Sequence, residues 1–369
     1  MTQKRDPEDK SAPLDELRQS IDAIDGRILE LLNERARVAL EIGALKKANQ
    51  SPFYVPQRER ALIDRLQQQN SGPFPNQAIA LVYREIMSAS LALENPLTVA
   101  FLGPDSTFTH LAAKRRFGGS AMLVPCPTIA DIFDRVAREQ ASYGVVPVEN
   151  SSEGVVTHTL DQFVSSNLKI CAEVSLDVHL YLMGHESDLE RLTKVYSHPQ
   201  ALAQCRKFIE SELAQVTVVE VESTARAAQL VQKEPEAAAI ASVLASELYG
   251  LPILRARIED HVDNITRFLV ISETTPPPTG ADKTSLLFTL GDGPGSLFHV
   301  LRPFADLNVN LTKIESRPSK KKLWDYIFFI DLDGHIDEPG VQQVIERLAT
   351  QCTMVKHLGS YPKEESLKP

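Results

Sequence analysis

The chain has 369 residues, of which 43% are hydrophobic and 24% are charged, and its formal net charge at pH 7 is -10. This length predicts roughly two or three domains, and the lack of an apolar run of about 20 residues excludes a membrane-spanning helix. The excess of acidic residues lies in 96–275, with 15 basic and 23 acidic residues, so no nucleic-acid partner is expected.

The four cysteines are scattered and form no CxxC pair, and the histidines show no HExxH spacing. Neither a zinc site nor a disulfide framework is therefore predicted. Residues 1–13 are polar and lack the apolar core of a secretion signal. We expect them to be a disordered tail on a cytoplasmic protein.

Residues 14–95 form the first predicted domain, and their pattern is helical throughout. Helices are predicted over about 14–47, 56–69 and 79–93, with proline and polar residues at the turns. A first helix of about 33 residues is about 50 Å long. Because two short helices cannot cover it, we expect an intertwined dimer in which a second chain covers the rest.

The apolar stripe of this first helix is interrupted by a single charge, Arg35. Apolar residues otherwise recur at steps of three and four from Leu14 to Leu45. A buried guanidinium is costly unless a carboxylate of the chain or an anionic ligand pairs with it. We favour the ligand; the alternative is that Arg35 extends to the surface of the bundle. Lys46 lies on the same face, since eleven residues at about 100° each end about 20° from a full turn.

The segments 14–25, 33–35 and 57–60 (LDELRQSIDAID, NER and QRER) resemble the all-helical chorismate mutase domain. The resemblance implies a domain-swapped dimer that binds chorismate and rearranges it to prephenate. That reaction needs no nucleophile and no proton transfer, so catalysis consists of holding the reactive shape and stabilising charge on the ether oxygen. The residues that the resemblance assigns to the site are Arg35, Lys46, Arg58, Glu59, Ser90 and Glu94, with Arg18 from the partner chain.

Two residues depart from the family pattern. Val55 stands where the family often has an aspartate, and Glu94 stands where many members have glutamine. Since a carboxylate facing a developing oxyanion is repulsive, Glu94 must be protonated to assist the reaction.

Residues 97–274 alternate between short apolar strands and helices, which predicts an α/β domain of two lobes with mostly parallel sheets. The predicted strands are 98–103, 142–148, 169–182, 195–197, 216–221, 238–241, 253–258 and 267–272. The predicted helices start at His110, Val155, Ala201, Thr224 and Val243.

Hydroxyl-rich loops follow two of these strands. One contains Ser106 and Thr107, and the other contains Glu149, Asn150 and Ser151. Each loop is at minimum a helix N-cap. Two such loops at strand ends favour a site for an anion or a polyol.

The run 260–268 (DHVDNITRF), together with both loops, resembles prephenate dehydratase over about 98–273. The resemblance implies a fold like that of periplasmic binding proteins, with the active site in the cleft. It implies loss of water and carbon dioxide from prephenate to give phenylpyruvate, without metal or organic cofactor. Thr266 would donate or relay a proton to the leaving hydroxyl, and Arg267 would supply positive charge for a carboxylate. The residues expected to bind substrate are Ser106, Thr107, Glu149, Asn150, Ser151, Asn264 and Phe268.

Two of these assignments have a structural alternative. Arg267 could form an internal salt bridge with Asp260 or Asp263. For Phe268, core packing is the favoured interpretation. The hydroxyl of Thr266 is a weak acid, so it could also position water or another acid.

A proline-rich linker, 275–282, leads to a third predicted domain, 283–362, with the strand and helix order βαββαβ of ferredoxin-like folds. The segment 291–298 (GDGPGSLF) lacks the GK[ST] ending of a phosphate loop. With 314–318 (IESRP) it resembles the ACT regulatory domain, in which both segments bind phenylalanine at a domain interface. The residues expected there are Gly295, Ser296, Leu297, Glu315, Ser316, Arg317 and Pro318. Ser296 stands where the family usually has alanine, and without the upstream domains these segments are equally well explained as turns.

The domain order resembles that of the bifunctional chorismate mutase/prephenate dehydratase family, the P-proteins of phenylalanine biosynthesis. The resemblance implies that L-phenylalanine is a feedback inhibitor, and that the protein is a homodimer or a dimer of dimers without nucleic-acid or membrane partners. One alternative is a non-catalytic two-lobed metabolite sensor with a vestigial mutase. Another is a monofunctional mutase with an inactive dehydratase.

Overall fold

The computed structural model divides the chain into two compact units, Met1–Pro96 and Leu97–Pro369. The residues that the structure describes are 12–49, 56–261, 263–291, 293–318 and 326–364. Val55 and most of the predicted tail, residues 1–13, lie outside these ranges.

The described residues of the first unit form three helices, α1 (Ala12–Ala48), α2 (Pro56–Gln69) and α3 (Asn76–Glu94), which confirms the helical prediction. Both α1 and α2 pack against α3. Much of the apolar stripe of α1 stays exposed: the exposed fraction of Leu17 is 63% and that of Leu45 is 64%. The unit therefore presents a long apolar surface that its own helices do not cover.

The second unit begins with eleven strands and seven α-helices. The strands are β1 (Thr98–Leu102), β2 (Met122–Cys126), β3 (Tyr143–Asn150), β4 (Gly154–Val155), β5 (Lys169–Asp177), β6 (Tyr181–Gly184), β7 (Lys194–Ser197), β8 (Thr217–Glu220), β9 (Ala237–Ala241), β10 (Ile253–Arg255) and β11 (Ile265–Ser272). The helices are α4 (Phe108–Phe117), α5 (Ile129–Ala137), α6 (Thr157–Ser165), α7 (Pro199–Gln204), α8 (Arg206–Glu212), α9 (Thr224–Val231) and α10 (Val243–Tyr249), with a short 3-10 turn at Leu189–Arg191.

These strands form two sheets, one in each lobe. The first sheet has the order β2-β1-β3-β11-β5, with β4 paired to β3, and the second has the order β10-β6-β9-β7-β8. In the first sheet β1 runs parallel to β2 and β3, whereas β11 runs antiparallel to β3 and β5. In the second sheet β7 has two parallel neighbours and β6 has two antiparallel ones.

The prediction of mostly parallel sheets is therefore wrong, and one crossover explains why. The predicted strand 169–182 is two strands, β5 in the first lobe and β6 in the second. After the second lobe is complete, β11 returns to the first sheet and inserts antiparallel between β3 and β5. The prediction also omitted β2 and the helix that follows it, α5. It missed β2 because this strand has only five residues, lies at the edge of the sheet and contains Pro125.

Local capping sets the start of several helices. Thr107 caps α4 by accepting a hydrogen bond from the backbone N–H of His110. Thr128 and Asp131 form a capping box at the start of α5. Each cap satisfies backbone donors that the first helical turn leaves without partners.

Residues 282–362 fold as the predicted βαββαβ unit. Its elements are β12 (Asp282–Thr289), α11 (Ser296–Asp306), β13 (Leu311–Pro318), β14 (Tyr326–Asp333), α12 (Pro339–Gln351) and β15 (Met354–Pro362). The four strands form an antiparallel sheet in the order β13-β14-β12-β15, hereafter the C-terminal sheet. One face of the C-terminal sheet packs on α11 and α12. The other face shares a hydrophobic core with the first lobe.

The C-terminal sheet and the first lobe meet closely at β15 and β5. A Cβ atom at Gly359 would lie 2.1 Å from the backbone oxygen of Ile170, so only glycine permits this approach. Lys356 Nζ donates to three backbone carbonyl oxygens at the end of α6. Lys169 Nζ donates to the carbonyl oxygen of His357 at 2.6 Å. The two parts therefore form one continuously packed body.

This interface contains a histidine, His357, that is harder to protonate in the folded protein than in the unfolded chain. Burial, with the positive charge of Lys169 nearby, lowers the pKa of His357 to about 4. As the pH falls below about 6.5 the unfolded chain takes up this proton first, so stability present at neutral pH is lost toward pH 4.

We predict that the free energy of unfolding falls more steeply with acid in the parent than in His357→Gln. Between pH 7 and pH 5 the difference should be about 1 kcal/mol, a figure that allows for the partial exposure of the ring. Urea unfolding at several pH values measures it. Equal pH slopes for the two proteins would contradict the prediction.

Candidate active sites

The first unit encloses a cavity of about 490 Å³ between its three helices. Its apolar lining includes Val38, Ile42, Leu62 and Met87. Six of its polar lining residues are Arg35, Lys46, Arg58, Glu59, Ser90 and Glu94. These are the residues that the sequence assigned to one site, apart from Arg18. The structure therefore brings side chains from all three helices to one concave surface.

Two contacts order this cavity. Arg35 Nη1 donates to the Ser90 hydroxyl, which in turn donates to the Ile86 carbonyl oxygen at 2.8 Å. Lys46 Nζ donates to Glu94 Oε2 at 2.8 Å. The hydrogen-bond partner of Arg35 among the described residues is thus a neutral hydroxyl. A guanidinium held in this way keeps its charge available for an anion.

Gly43 determines how closely α1 approaches α3. A Cβ atom at Gly43 would lie 3.1 Å from Cα, Cβ and Cγ of Glu94, which is tighter than most side chains tolerate. The glycine therefore permits the approach that brings Glu94 to Lys46. The sequence alone did not point to a role for Gly43.

Arg18 lies elsewhere on α1. Its side chain is 67% exposed and pairs with Asp15 at 3.1 Å. It precedes Arg35 by 17 residues, about 26 Å along a helix axis. Arg18 therefore cannot reach the cavity of its own chain.

The second unit brings together polar residues from β3, β11 and the segment before β11. The antiparallel pairing of β3 and β11 places Thr266 opposite Asn150. Asn150 Nδ2 donates to Thr266 Oγ1 at 2.7 Å and to Asn264 Oδ1 at 2.9 Å. Asn150 Oδ1 accepts from the backbone N–H groups of Ser152 and Glu153, which fixes the orientation of the amide.

This geometry determines what the Thr266 hydroxyl can do. Because its oxygen accepts from Asn150, its own hydrogen is directed elsewhere and can be donated. Thr266 is 8% exposed, so the hydroxyl sits in a largely dry environment. A hydrogen bond donated there is stronger than one in water.

Two of the expected substrate-binding residues have a buried side-chain atom without a hydrogen-bond partner among the described residues, Asn264 Nδ2 and Ser106 Oγ. An unpaired buried polar atom costs about 1–3 kcal/mol. Ser106 also has a φ of +69°, which is uncommon for a residue other than glycine. Such features are typical of sites that a ligand completes.

The loop around Ser106 connects the two lobes. The Ser106 N–H donates to His110 Nδ1 at 3.0 Å, and its carbonyl oxygen accepts from the Ser242 hydroxyl in the second lobe at 2.9 Å. The Thr107 hydroxyl accepts from the His110 N–H and donates to the Leu102 carbonyl oxygen. Thr107 is therefore an N-cap, which is the minimum role that the sequence predicted for its loop.

Ser151 stabilises the end of the same strand pair. Its hydroxyl accepts from the Ile265 N–H at 3.0 Å and donates to the Asp263 carbonyl oxygen at 3.2 Å. Its contacts are thus largely to the backbone of β11 and of the segment before it.

Three expected substrate contacts must be corrected. Glu149 pairs with Lys313 at 2.6 Å, and Arg267 pairs with acidic residues on the side of the C-terminal sheet. Phe268 is 1% exposed and lies in the core. Because adjacent residues of a strand face opposite sides of a sheet, Glu149 and Arg267 cannot share the face of Asn150 and Thr266.

Arg267 forms an internal ion-pair network with unexpected partners. Its guanidinium donates to Glu173 and to Asp331, each at 2.7 Å, and to the Tyr361 hydroxyl at 3.0 Å. The partners considered from the sequence were Asp260 and Asp263. Asp260 instead accepts from the backbone N–H of Lys207.

The network stays ionised despite burial. Burial alone lowers the pKa of Arg267, but Tyr361, Asp331 and Glu173 outweigh it and hold the pKa above its usual range. Burial likewise raises the pKa of Asp331, and Arg267 with the Ser285 hydroxyl reverses this and holds it below its usual range. The pair is therefore a charged connection between the first lobe and the C-terminal sheet.

The segments expected to bind an inhibitor occupy two places. Gly295, with a φ of +78°, begins α11, and Ser296 Oγ donates to the Gly293 carbonyl oxygen at 2.9 Å. Leu297 packs against the core beneath α11. Glu315, Ser316, Arg317 and Pro318 lie on β13.

Arg317 contacts the first lobe. Its guanidinium donates to the Thr157 carbonyl oxygen at 2.8 Å and pairs with Asp161, both on α6. Arg317 is 7% exposed. In this structure it therefore connects β13 to the first lobe.

The part of the chain that the structure describes contains neither a candidate metal-binding cluster nor a membrane-spanning helix. No group of three or more His, Cys, Asp or Glu side chains in this part of the chain could hold a metal ion. No described helix is long and apolar enough to cross a bilayer.

Three family models match the chain in order. The chorismate mutase type II model matches residues 17–95, the prephenate dehydratase model matches 99–276, and the ACT domain model matches 284–350. Each of the three domains predicted from the sequence therefore has a matching family model.

Relatives with the same arrangement are similar over nearly their whole length. A bifunctional chorismate mutase/prephenate dehydratase of Aquifex aeolicus (strain VF5) is 49% identical over 354 residues, 95% of this chain and 98% of the relative. The protein of the same name from Stutzerimonas stutzeri is 45% identical, over 94% of this chain and 97% of the relative. That of Escherichia coli (strain K12) is 32% identical, over 95% and 97%.

Solved structures match the second unit. Prephenate dehydratase of Arthrobacter aurescens in complex with L-Phe has a TM-score of 0.67 and 35% identity, and the match covers 72% of this chain and 90% of that one. Prephenate dehydratase of Staphylococcus aureus subsp. aureus Mu50 has a TM-score of 0.64 and 33% identity, with 72% and 100% covered. A protein described as a novel type of quorum quenching acylase has a TM-score of 0.67 and 32% identity, with 72% and 98% covered.

Proposed function

The chain belongs to the bifunctional chorismate mutase/prephenate dehydratase family, and on this premise we propose which of its residues carry each reaction. The protein is an enzyme with both activities, and it carries an ACT regulatory domain. The observation that carries the residue assignment is the convergence of two separate polar clusters, one in each unit. Neither cluster shares a residue with the other.

The charges of the first cavity fit a dianion. Its lining includes four cations, Arg35, Lys46, Arg58 and Arg65, against two carboxylates, Glu59 and Glu94. Chorismate carries two carboxylates, and the formal surplus of positive charge, which is two with Glu94 ionised and three with Glu94 protonated, is sufficient to neutralise them. A volume of about 490 Å³ lies within the range of small-molecule sites, about 300–1,000 Å³.

Five residues of that cavity have a proposed task. Arg35 and Arg58 hold the two carboxylates and so fix the reactive conformation. Lys46 donates to the ether oxygen as charge develops on it. Ser90 orients Arg35, and Glu94 donates to the same oxygen from the other side when it carries a proton.

We further propose that a second copy of the chain completes this site. The exposed apolar stripe of α1 supplies the surface for association, since exposed apolar area of this extent marks a protein interface. Arg18 lies about 26 Å along the axis from Arg35, so it would act in the partner's cavity. A homodimer is the smallest assembly that meets this condition, and a dimer of dimers would also meet it.

Replacing Glu94 should change the pH dependence of the mutase reaction. The parent's kcat/KM for the mutase reaction should fall as the pH rises, because only a protonated carboxyl can donate to the ether oxygen. In Glu94→Gln the amide donates at every pH, so the profile should be flat. Dehydratase activity of the same variant is the control, and superimposable mutase profiles would refute the role of Glu94.

Gly43→Ala should impair the mutase selectively. The added methyl group displaces Glu94 from Lys46, and we expect mutase kcat to fall about tenfold or more. Gly26→Ala is the matched control, because a Cβ atom at Gly26 meets nothing within 4 Å. Equal mutase rates for the two variants would show that the close approach of α1 to α3 is unimportant.

The cluster around Thr266 suits the dehydratase reaction. Aromatisation of the ring drives loss of water and carbon dioxide, so the enzyme must mainly assist the departing hydroxyl. The Thr266 hydroxyl donates to that group while Asn150 holds it in place. Asn264 Nδ2 and Ser106 Oγ are buried polar atoms that substrate oxygens can satisfy.

The two sites should be silenced independently. Arg35→Ala should lower mutase activity at least about 100-fold and leave dehydratase activity on supplied prephenate unchanged. Thr266→Ala should do the reverse while still binding prephenate. An assay with chorismate that follows both products measures each step, and loss of both activities in one variant would contradict separate sites.

The same assay addresses the alternatives. The relatives are named as bifunctional enzymes, which favours turnover over the metabolite sensor considered from the sequence. The fold is also that of a quorum quenching acylase, and a fold alone does not decide the reaction. Formation of phenylpyruvate by the parent protein is the result that separates these possibilities.

We propose that L-phenylalanine inhibits the enzyme through the ACT domain. A prephenate dehydratase with 35% identity was crystallised in complex with L-Phe. The segments 295–297 and 315–318 are the candidate contacts here. Inhibition would follow if L-phenylalanine binds one conformation of the domain better and so shifts the population. The cytoplasmic location and the lack of nucleic-acid or membrane partners stay predictions.

A further inference from the structure

The paired strands β3 and β11 have two functional faces. Their register places Thr266 opposite Asn150, and it places Arg267 opposite Glu149. Asn150 and Thr266 form the catalytic face, where they contact each other. Glu149 and Arg267 form the rear face, because neighbouring residues of a strand project to opposite sides.

Both residues of the rear face are held by the C-terminal sheet. Glu149 accepts from Lys313 Nζ of β13 at 2.6 Å. Arg267 donates to Asp331 of β14 at 2.7 Å. Two adjacent strands of the C-terminal sheet thus each bind one strand of the catalytic pair.

The contact at Arg267 is reinforced by a third strand. Glu173 accepts from Arg267 and also from Lys283 of β12, at 2.9 Å. The side chains of Glu173 and Asp331 are 4% and 10% exposed. Two positive side chains, Arg267 and Lys283, balance two negative ones, Glu173 and Asp331. Removal of one of the four would leave a buried charge uncompensated.

We propose that Lys313 and Asp331 are positioning residues for the dehydratase reaction. Through Glu149 and Arg267 they hold the rear of the strand pair, and so they fix where Asn150 and Thr266 stand on the catalytic face. This proposal rests on the proposed dehydratase function of that face. The C-terminal sheet is thus connected to the reacting groups through Glu149 and Arg267.

The connection is short enough to transmit a displacement. Consecutive Cα atoms are about 3.8 Å apart, so movement of Glu149 or Arg267 moves the next residue along the strand. A misplacement of about 1 Å in an active site can cost about 100-fold in rate. Small shifts of the C-terminal sheet are therefore sufficient to change turnover.

The strand that carries Lys313 also carries a candidate inhibitor segment. Residues 315–318 follow Lys313 on β13, and Arg317 contacts α6 of the first lobe. A ligand that moves this segment would move Lys313 with it. The ion pair between Lys313 and Glu149 thus gives inhibition a route to Asn150.

A purely structural role for the ion pairs is the competing explanation. The shared hydrophobic core, the close approach at Gly359 and the contacts of Lys356 would remain without Lys313. Loss of Lys313 should therefore leave the two parts joined. If the pair only stabilises the fold, dehydratase turnover by folded protein should not change.

The test uses the full-length chain and the variants Lys313→Met, Lys313→Arg and Asp331→Asn. Lys363→Met is the matched control, because Lys363 pairs with Asp333 of the C-terminal sheet at 2.7 Å. The measurements are dehydratase kcat and KM, mutase rate, the thermal unfolding midpoint, and both binding of L-phenylalanine and inhibition by it. If Asp331→Asn fails to fold, Lys313→Met still tests the proposal, because the Lys313 side chain is 17% exposed and its replacement should be tolerated.

We expect Lys313→Met and Asp331→Asn to lower dehydratase kcat by about 5- to 50-fold, with the mutase rate unchanged. L-phenylalanine should bind within about twofold of its parental affinity, and its half-inhibiting concentration should rise at least about fivefold. Lys313→Arg should restore both properties, and Lys363→Met should behave as the parent.

Three results would overturn the proposal, and they are distinguishable. In the first, the parent turns over prephenate and Lys313→Met folds with the parental kcat and the parental inhibition. This result overturns the positioning role alone. A parent that forms no phenylpyruvate overturns the dehydratase function and the positioning role together. Loss of turnover in Lys363→Met as well would show that the effect is not specific to the rear face.

Discussion

The alternation of side chains along one strand is the constraint on which the second unit depends. Thr266 and Arg267 are neighbours on β11, so they must serve opposite sides of the first sheet. One side has the hydroxyl and amide cluster, and the other has the C-terminal sheet. The insertion of β11 between β3 and β5, which requires the chain to return from the second lobe, makes this division possible.

In the first unit, the surroundings of a single arginine on a helix likewise determine what its charge can bind. A guanidinium on an apolar stripe needs a partner, and Arg35 has a neutral one, Ser90. Its charge can therefore pair with an anionic ligand, whereas the charge of Arg267 is neutralised by Glu173 and Asp331. Two arginines that look alike in the sequence thus differ in function because of what surrounds them.

Much of this could be predicted from local patterns. Helical periodicity located α1 and placed Arg35 and Lys46 on one face, and the cavity contains both. The order βαββαβ followed from alternating apolar runs. Signals of this kind lie within about 20 residues of each other, where helix and strand periods apply directly.

What could not be predicted depended on residues far apart in the sequence. Asp331 and Glu173 are 64 and 94 residues from Arg267, and no local period connects them. The break between β5 and β6 was not predicted because apolar residues alternate through it, at Leu176, Val178, Leu180 and Leu182. One signal was available and unused: placing Thr266 in the site on a strand already directs Arg267 away from it.

A structure of the full-length protein with a bound, unreactive analogue of prephenate would show which face of the β3–β11 pair holds the substrate. We expect the analogue to contact Asn150 and Thr266, while Arg267 keeps its contacts with Glu173 and Asp331. An analogue whose carboxylate is bound by Arg267, with the guanidinium turned away from those two acids, would contradict it.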